Sequence, residues 1–258
     1  MDTKKTVFNH EAIPYGSSPD GFIPAIAIGY FLQKQSKILV IGDFTKRDYN
    51  VLRALGKDVS VMDIVPLQGI EQFYLQSITE KTSFSDGFFD GIVLAEVIEH
   101  LFEDHLALQE INRILADNGT LVITVPYFSN VQDGPEYHVR VHSSKTISRL
   151  LSHTGFAIKE HFYRGIISRM PQKNKLTKFI IFGFSKILRV IFGEAKGLRL
   201  FRLICFNLEY FLGTHSMFLP LQKYCTTFGG IMKIKKDKKI DYMAIQLASF
   251  IPPCAPTL

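Results

Sequence analysis

The segment from Phe84 to Pro126, FSDGFFDGIVLAEVIEHLFEDHLALQEINRILADNGTLVITVP, constrains the fold more than any other part of the chain. An apolar run, Gly91 to Ala95, leads into Glu96, Glu99 and His100. A long amphipathic stretch follows, stopped by Asn118-Gly119, and a second apolar run covers Thr120 to Val125. Short apolar runs separated by a helical pattern are what a buried parallel sheet with crossover helices requires. Ligands of such sheets bind beyond the carboxyl ends of the strands, where Glu96 and Pro126 fall.

The same alternation extends on both sides. Lys37 to Ile41 reads as the first buried strand, Tyr49 to Leu55 as a short helix turning Leu52 and Leu55 inward, and Val59 to Asp63 as the second strand. A weak third strand falls near Phe73 to Ile78. The helix Glu103 to Ala116 turns Leu108, Ile111 and Leu115 toward the sheet. Ser143 is placed to cap a helix burying Ile147, Leu150 and Leu151 and closed at Gly155. Phe156 to Arg164 follows as a sixth strand, and Ile240 to Phe250 closes the sheet as a seventh. The fold class is therefore α/β: a doubly wound, mostly parallel, seven-stranded Rossmann-like sheet with a helical insertion between its last two strands. The organisation expected is an N-terminal arm and helix (1–35), a core (36–164), the insertion (165–239), and a last strand with its tail (240–258).

The 258 residues, 47% of them hydrophobic, suffice for a large core and exclude global disorder. Cys205, Cys225 and Cys254 have no metal-type spacing and read as reduced thiols of a cytoplasmic protein. MDTKKTVFNHEAIPYG lacks the apolar core of a signal peptide. The net charge of +6 is unevenly spread. Residues 84–126 are strongly acidic, whereas Lys and Arg recur among aliphatic and aromatic residues after Arg164. Lys175, Lys178, Phe182, Ser185 and Arg189 fall at helical steps within an apolar stretch that Lys186 and Arg189 keep from being a membrane span. Two readings stand for residues 175–220: a helical lid over the main domain, or a peripheral contact with the inner face of a membrane. Basic residues set among Phe-rich runs do not track phosphates, so no nucleic acid is expected, and KIKKDKK (233–239) reads as a solvated loop.

KILVIG, VSVMD, FFDGIVLAEVIEHL, ADNGTLVITVP and HVRVHSSKTISRLLSHTGF together resemble, in the same order, the class I S-adenosylmethionine-dependent methyltransferases. The resemblance covers about residues 36–164 and is nearest to the type-11 group, whose members act on quinones, lipids and sugars. It implies a cofactor, S-adenosylmethionine, over the strand ends. Independently, Gly42 lets backbone approach a nucleoside, and Asp63, 21 positions on, is spaced to hold ribose hydroxyls. Glu96 and Val97 would meet the amino-acid portion of the cofactor, and Ser77, Ile78 and Thr79 would serve the adenine. Asp90 is read as structural.

Two departures from the family pattern matter. Its glycine-rich loop has glycines at alternate positions, whereas this chain reads Gly42-Asp43-Phe44-Thr45-Lys46 before Asp48, with Ile64 following Asp63. Lys46 near a sulfonium at about 5 Å would be repelled by roughly 3 kcal/mol, so it must point away, pair with an aspartate, or bind the cofactor carboxylate. Ser77 stands where the family often has an aspartate. Asp43, Phe44, Lys46 and Ile64 complete the expected cofactor surface. For proton removal from an acceptor, the segment after the fifth strand offers Tyr127, Asp133, Glu136, His138, Arg140 and His142, with His138 first and His142 second as base. A metal site from His138, His142 and Asp133 lacks specific spacing, and no metal is expected. The function expected is O-methylation of a small anionic or amphiphilic acceptor, such as a sugar, a lipid-linked glycan or a quinone precursor. The alternative is a member that has kept the fold and lost catalysis, serving as a binding or assembly module.

Overall fold

The computed structural model describes residues 28, 31–126, 138–160, 175–198, 200, 201, 204, 205 and 208, and the short segments 227–228 and 233–236. The strands are β1 (Lys37–Ile41), β2 (Asp58–Asp63), β3 (Phe73–Leu75), β4 (Phe89–Ala95), β5 (Leu115–Pro126), β6 (Phe156–Glu160), β7 (Thr227–Phe228) and β8 (Lys233–Lys236). The helices are α1 (Arg47–Ala54), α2 (Asp104–Ile114), α3 (Ser144–His153) and α4 (Lys175–Phe192), with a single 3₁₀ turn at Ile98–His100.

The sheet runs β3-β2-β1-β4-β5-β8-β6, with β7 pairing off this path onto β5. The pairs β3·β2, β2·β1, β1·β4 and β4·β5 are parallel, and β8 is antiparallel to both of its neighbours. This is the doubly wound, mostly parallel class expected. The order reverses direction between β1 and β4, so the crevice beyond Ile41 and Ala95 is the switch point where such sheets bind ligands.

Both faces of the sheet are covered, which is why β1 is apolar at successive positions rather than alternately. Ile38 and Val40 pack with Tyr49, Val51 and Leu52 on the α1 face. Leu39 and Ile41 pack with Leu108, Ile111, Ile147 and Leu151 on the α2/α3 face. Ser143 caps α3 and, with Thr146, forms a reciprocal capping box. Asp90 accepts hydrogen bonds from the Ser36 and Lys37 backbone N–H groups, each at 2.8 Å, tying the start of β1 to β4.

Several expectations are corrected. The lysine-rich run read as a solvated loop supplies β8, with Ile234 in register with Leu121 on one side and Ile158 on the other. The structure thus places a strand inside the span read as insertion. Four residues dominated by lysine carry little strand signal alone; the pairing partners on both sides decide the conformation. Ile240–Phe250, expected to close the sheet, lies outside the described residues, as do Tyr127, Asp133 and Glu136.

Asn118-Gly119 does not end α2 at Ala116. The helix stops at Ile114, and β5 begins at Leu115 with an irregularity between the Phe89↔Leu115 and Gly91↔Thr120 pairs. The chain folds tightly there: a Cβ on Gly119 would lie 2.6 Å from Leu115 Cδ1. β3 ends at Leu75, and Ile78 enters the core instead. Glu99 and His100 do not begin α2 but form the separate 3₁₀ turn.

Arg113, on α2, secures the approach to β4. Its guanidinium donates to both Glu110 oxygens (2.8 and 2.6 Å), to Asp86 (2.7 Å) and to the Phe84 carbonyl (2.8 Å), while Glu110 also accepts from Thr82. Removing the guanidinium leaves a largely buried carboxylate without its counter-charge. Arg113→Leu is therefore expected to cost about 3 kcal/mol, read as a lower denaturant midpoint at unchanged slope.

Candidate active site

The site is built where β1, β2 and β4 end side by side. Gly42 follows β1 with φ of +72°, and its N–H donates to the Met62 carbonyl at 3.0 Å. A Cβ there would lie 2.5 Å from Val97 Cγ2, so the missing side chain lets the segment after β4 pack directly on the turn after β1.

Asp43 is buried, and its carboxylate accepts from the Arg47 N–H (3.0 Å) and the Tyr49 N–H (2.7 Å), holding the first turn of α1. Burial, and then the Asp48 carboxylate, push its pKa up to about 6 despite those bonds. Arg47 forks onto the buried Asp48 at 2.8 and 2.9 Å. Burial works against the Arg47 charge, but Asp48, Asp43 and Glu96 together outweigh it and raise its pKa.

Phe44 projects into solvent, 73% exposed. Lys46 takes the left-handed conformation, φ 55°, and its ammonium donates to the Gln68 carbonyl in the loop after β2. The ammonium is thus led to Gln68, while the Lys46 backbone N–H donates to the Asp43 carbonyl at 2.8 Å.

Asp63 ends β2, and one of its oxygens accepts from the Val65 N–H at 3.0 Å. Beside it, Ile64, Leu75, Gln76 and Ser77 line an open hollow of about 600 Å³. Thr79 donates through its N–H to the Ser77 hydroxyl oxygen, and Ile78 is anchored in the core. A strand-end carboxylate next to a hollow of this size fits the ribose and base of a nucleoside cofactor.

After β4 the chemistry changes. Glu96 adopts φ 58°, a conformation costing a non-glycine residue about 1–2 kcal/mol, and its carboxylate accepts from the Thr124 hydroxyl at 2.8 Å. Glu99 is 1% exposed with neither carboxylate oxygen hydrogen-bonded. Burial, and then Glu96, push its pKa up to about 8. Its backbone carbonyl accepts from the Val139 and Arg140 N–H groups, which brings the segment before α3 against the 3₁₀ turn. The His138 ring consequently lies edge-on to His100, with centroids 4.8 Å apart. Burial and the neighbouring His100 lower the His138 pKa.

His142 is buried, its pKa lowered by burial, and its Nε2 has no hydrogen-bond partner. Arg140 pairs with the buried Asp104 at 2.7 Å and donates to the Phe102 carbonyl at 3.0 Å, which fixes this segment to α2. The acid–x₂–acid–His spacing is visible in the sequence, but its juxtaposition with His138 depends on backbone bonds between residues 40 and 41 positions apart.

The contact between Gly42 and Val97 can be measured. Gly42→Ala should lower stability by about 2 kcal/mol from backbone strain and overlap. Val97→Ala introduced beside it should recover part of that loss. Equal losses in the single and double variants, by chemical denaturation, would refute the contact.

A family model described as "Methyltransferase domain" matches residues 31–161, just over half of the chain. No curated protein sequence matches. Among solved structures, the chain is similar to a putative sarcosine dimethylglycine methyltransferase from Galdieria sulphuraria (17% identity, TM-score 0.52, 85% of each chain covered). It is similar also to a SAM-dependent methyltransferase from Archaeoglobus fulgidus (18% identity, TM-score 0.50, covering 57% of this chain and 74% of the other). The [4+2]-cyclase SpnF shares the fold at 16% identity and a TM-score of 0.51, with 83% of this chain and 79% of the other covered. Family model, sheet order and strand-end site agree: the chain belongs to the methyltransferase-domain family and is an S-adenosylmethionine-dependent methyltransferase.

Proposed function

We propose that this enzyme O-methylates a hydroxyl of a small anionic or amphiphilic acceptor, with proton removal centred on His138. The bound cofactor supplies an electrophilic methyl group on a positively charged sulfur. Asp63 holds the ribose hydroxyls, Gly42 keeps the turn after β1 closed against Val97 rather than open to the cofactor, and Ser77, Ile78 and Thr79 face the base beside Ile64. Glu96 and Val97 border the amino-acid portion. Both Asp43 oxygens serve α1, so its contribution is to fix the turn. Lys46, held by the Gln68 carbonyl, is kept off the sulfonium by that bond.

The observation that carries the O-methylation reading is the His138 imidazole, biased toward its neutral form, beside Glu99 and His100 near the end of β4. A neutral imidazole can accept the hydroxyl proton as the oxygen attacks the methyl carbon. His142, buried two residues before α3, is the second candidate. Calorimetric titration should give heat with S-adenosylmethionine, and Asp63→Ala should weaken it at least tenfold, two charge-assisted bonds being worth about 1.5–3 kcal/mol each. No heat from the native chain at millimolar cofactor would instead leave a fold-retaining binding module.

The acceptor's amphiphilic character is inferred from α4. Leu176, Phe179, Ile180, Ile187, Val190 and Ile191 share one exposed face, Phe179 and Val190 being 77% exposed, while Ser185 and Leu188 are buried on the other side. Its sequence, KLTKFIIFGFSKILRVIF, carries cations and no acid. Among the described residues no helix is long and apolar enough to cross a membrane. An apolar face flanked by cations matches the interface of an anionic bilayer, and we place α4 on the inner leaflet there. The protein should sediment with vesicles containing anionic lipid and less with neutral ones, and Phe179→Ser with Val190→Ser should abolish it. Equal recovery with both vesicle types, or none, refutes the assignment; a protein partner would then be the occupant.

A further inference from the structure

Glu99, His100 and His138 form a cluster whose properties exceed what a general base needs. One ligand atom from each lies within 4.8 Å of the others. Glu99 is the unusual member: a carboxylate 1% exposed, with neither oxygen hydrogen-bonded, and Oε1 directed at His100 Nε2 from 3.9 Å. A buried carboxyl left in this state either stays protonated or takes a positive partner.

We propose that Glu99, His100 and His138 bind a divalent first-row cation of the zinc or manganese kind. Two imidazoles and one carboxylate are a donor set such ions accept, and three protein ligands leave positions open for acceptor oxygens. Bonds of about 2.0–2.2 Å bring ligand atoms to roughly 3.3 Å apart, so the widest separation in the cluster needs to close by up to about 1.5 Å, within the reach of side-chain rotation.

The assignment rests on the O-methyltransferase reading of the same site and refines it toward acceptors able to offer oxygen ligands. With a cation bound, His138 would serve as a ligand rather than as the base; the cation would lower the hydroxyl pKa, and the proton would pass to solvent water. The sequence expectation of no metal considered His138 only with His142 and Asp133; Glu99 and His100 replace those two.

Full-length protein stripped with chelator and titrated with Zn²⁺, Mn²⁺ or Co²⁺ alone provides the test. The expected result is one equivalent bound, visible d–d absorption with Co²⁺, and a rise in thermal midpoint on metal addition. Glu99→Gln and His138→Gln should each weaken binding about 10- to 100-fold and remove the Co²⁺ band. A side chain that acted only as a base would move neither readout. No stoichiometric binding, or wild-type affinity in both variants, overturns the assignment. Heat from S-adenosylhomocysteine, measured on the same metal-free samples, reads the cofactor site independently: heat without metal binding removes only the cation, whereas absence of heat removes the methyltransferase reading itself.

Discussion

Val97 packs against the bare α-carbon of Gly42, and much of the site's geometry depends on that contact. It joins the turn after β1 to the turn after β4, on adjacent parallel strands. With a side chain at position 42, either the two turns would separate or the valine would have to move within a core packed to near-crystalline density. On one side, the contact sets where Asp43 meets the start of α1. On the other, it sets where Glu96 turns through its left-handed conformation and delivers Glu99 inward. The open ends of the parallel strands would exist without it. Their polar groups would not converge.

The residues brought together are poorly suited to stability. Asp43, Asp48 and Glu99 are all buried, with Glu96 close to two of the network's members. Arg47 compensates the first pair, through two hydrogen bonds to Asp48 and the field of Asp43. Among the described residues no hydrogen bond reaches the oxygens of Glu99, whose closest potential cation is the His100 ring at 3.9 Å. Carboxylates with displaced pKa values tend to occur where chemistry is done, since a core selected for stability alone would replace them with apolar residues. The contrast with Glu110 is instructive. That side chain is also largely buried, yet Arg113 and Thr82 satisfy it and hold its pKa down, as suits a purely structural role.

The departures from the family's glycine-rich loop become intelligible in this frame. Phe44 faces solvent and so leaves the strand ends uncovered. Lys46 keeps the left-handed backbone that a glycine would adopt without strain, and its side chain is led away to the loop after β2.

Periodicity and end signals alone specified the parallel core: the apolar runs of β1, β2 and β4, the amphipathic α2 and the Ser143 cap of α3 are local patterns whose physics acts within a few residues. The positions of Asp63 and Gly42 at strand ends were legible for the same reason, since strand ends and their spacing follow from the order of elements. β8 was not, because a run of lysines around one isoleucine becomes a strand only when β5 and β6 offer it hydrogen bonds on both sides. Nor was the meeting of Glu99, His100 and His138, which depends on the Glu99 carbonyl receiving the Val139 and Arg140 N–H groups. Local sequence determines which residues repeat on a face. Proximity between residues far apart in the chain, and the loss of water that perturbs their charges, exist only once the tertiary structure has closed around them.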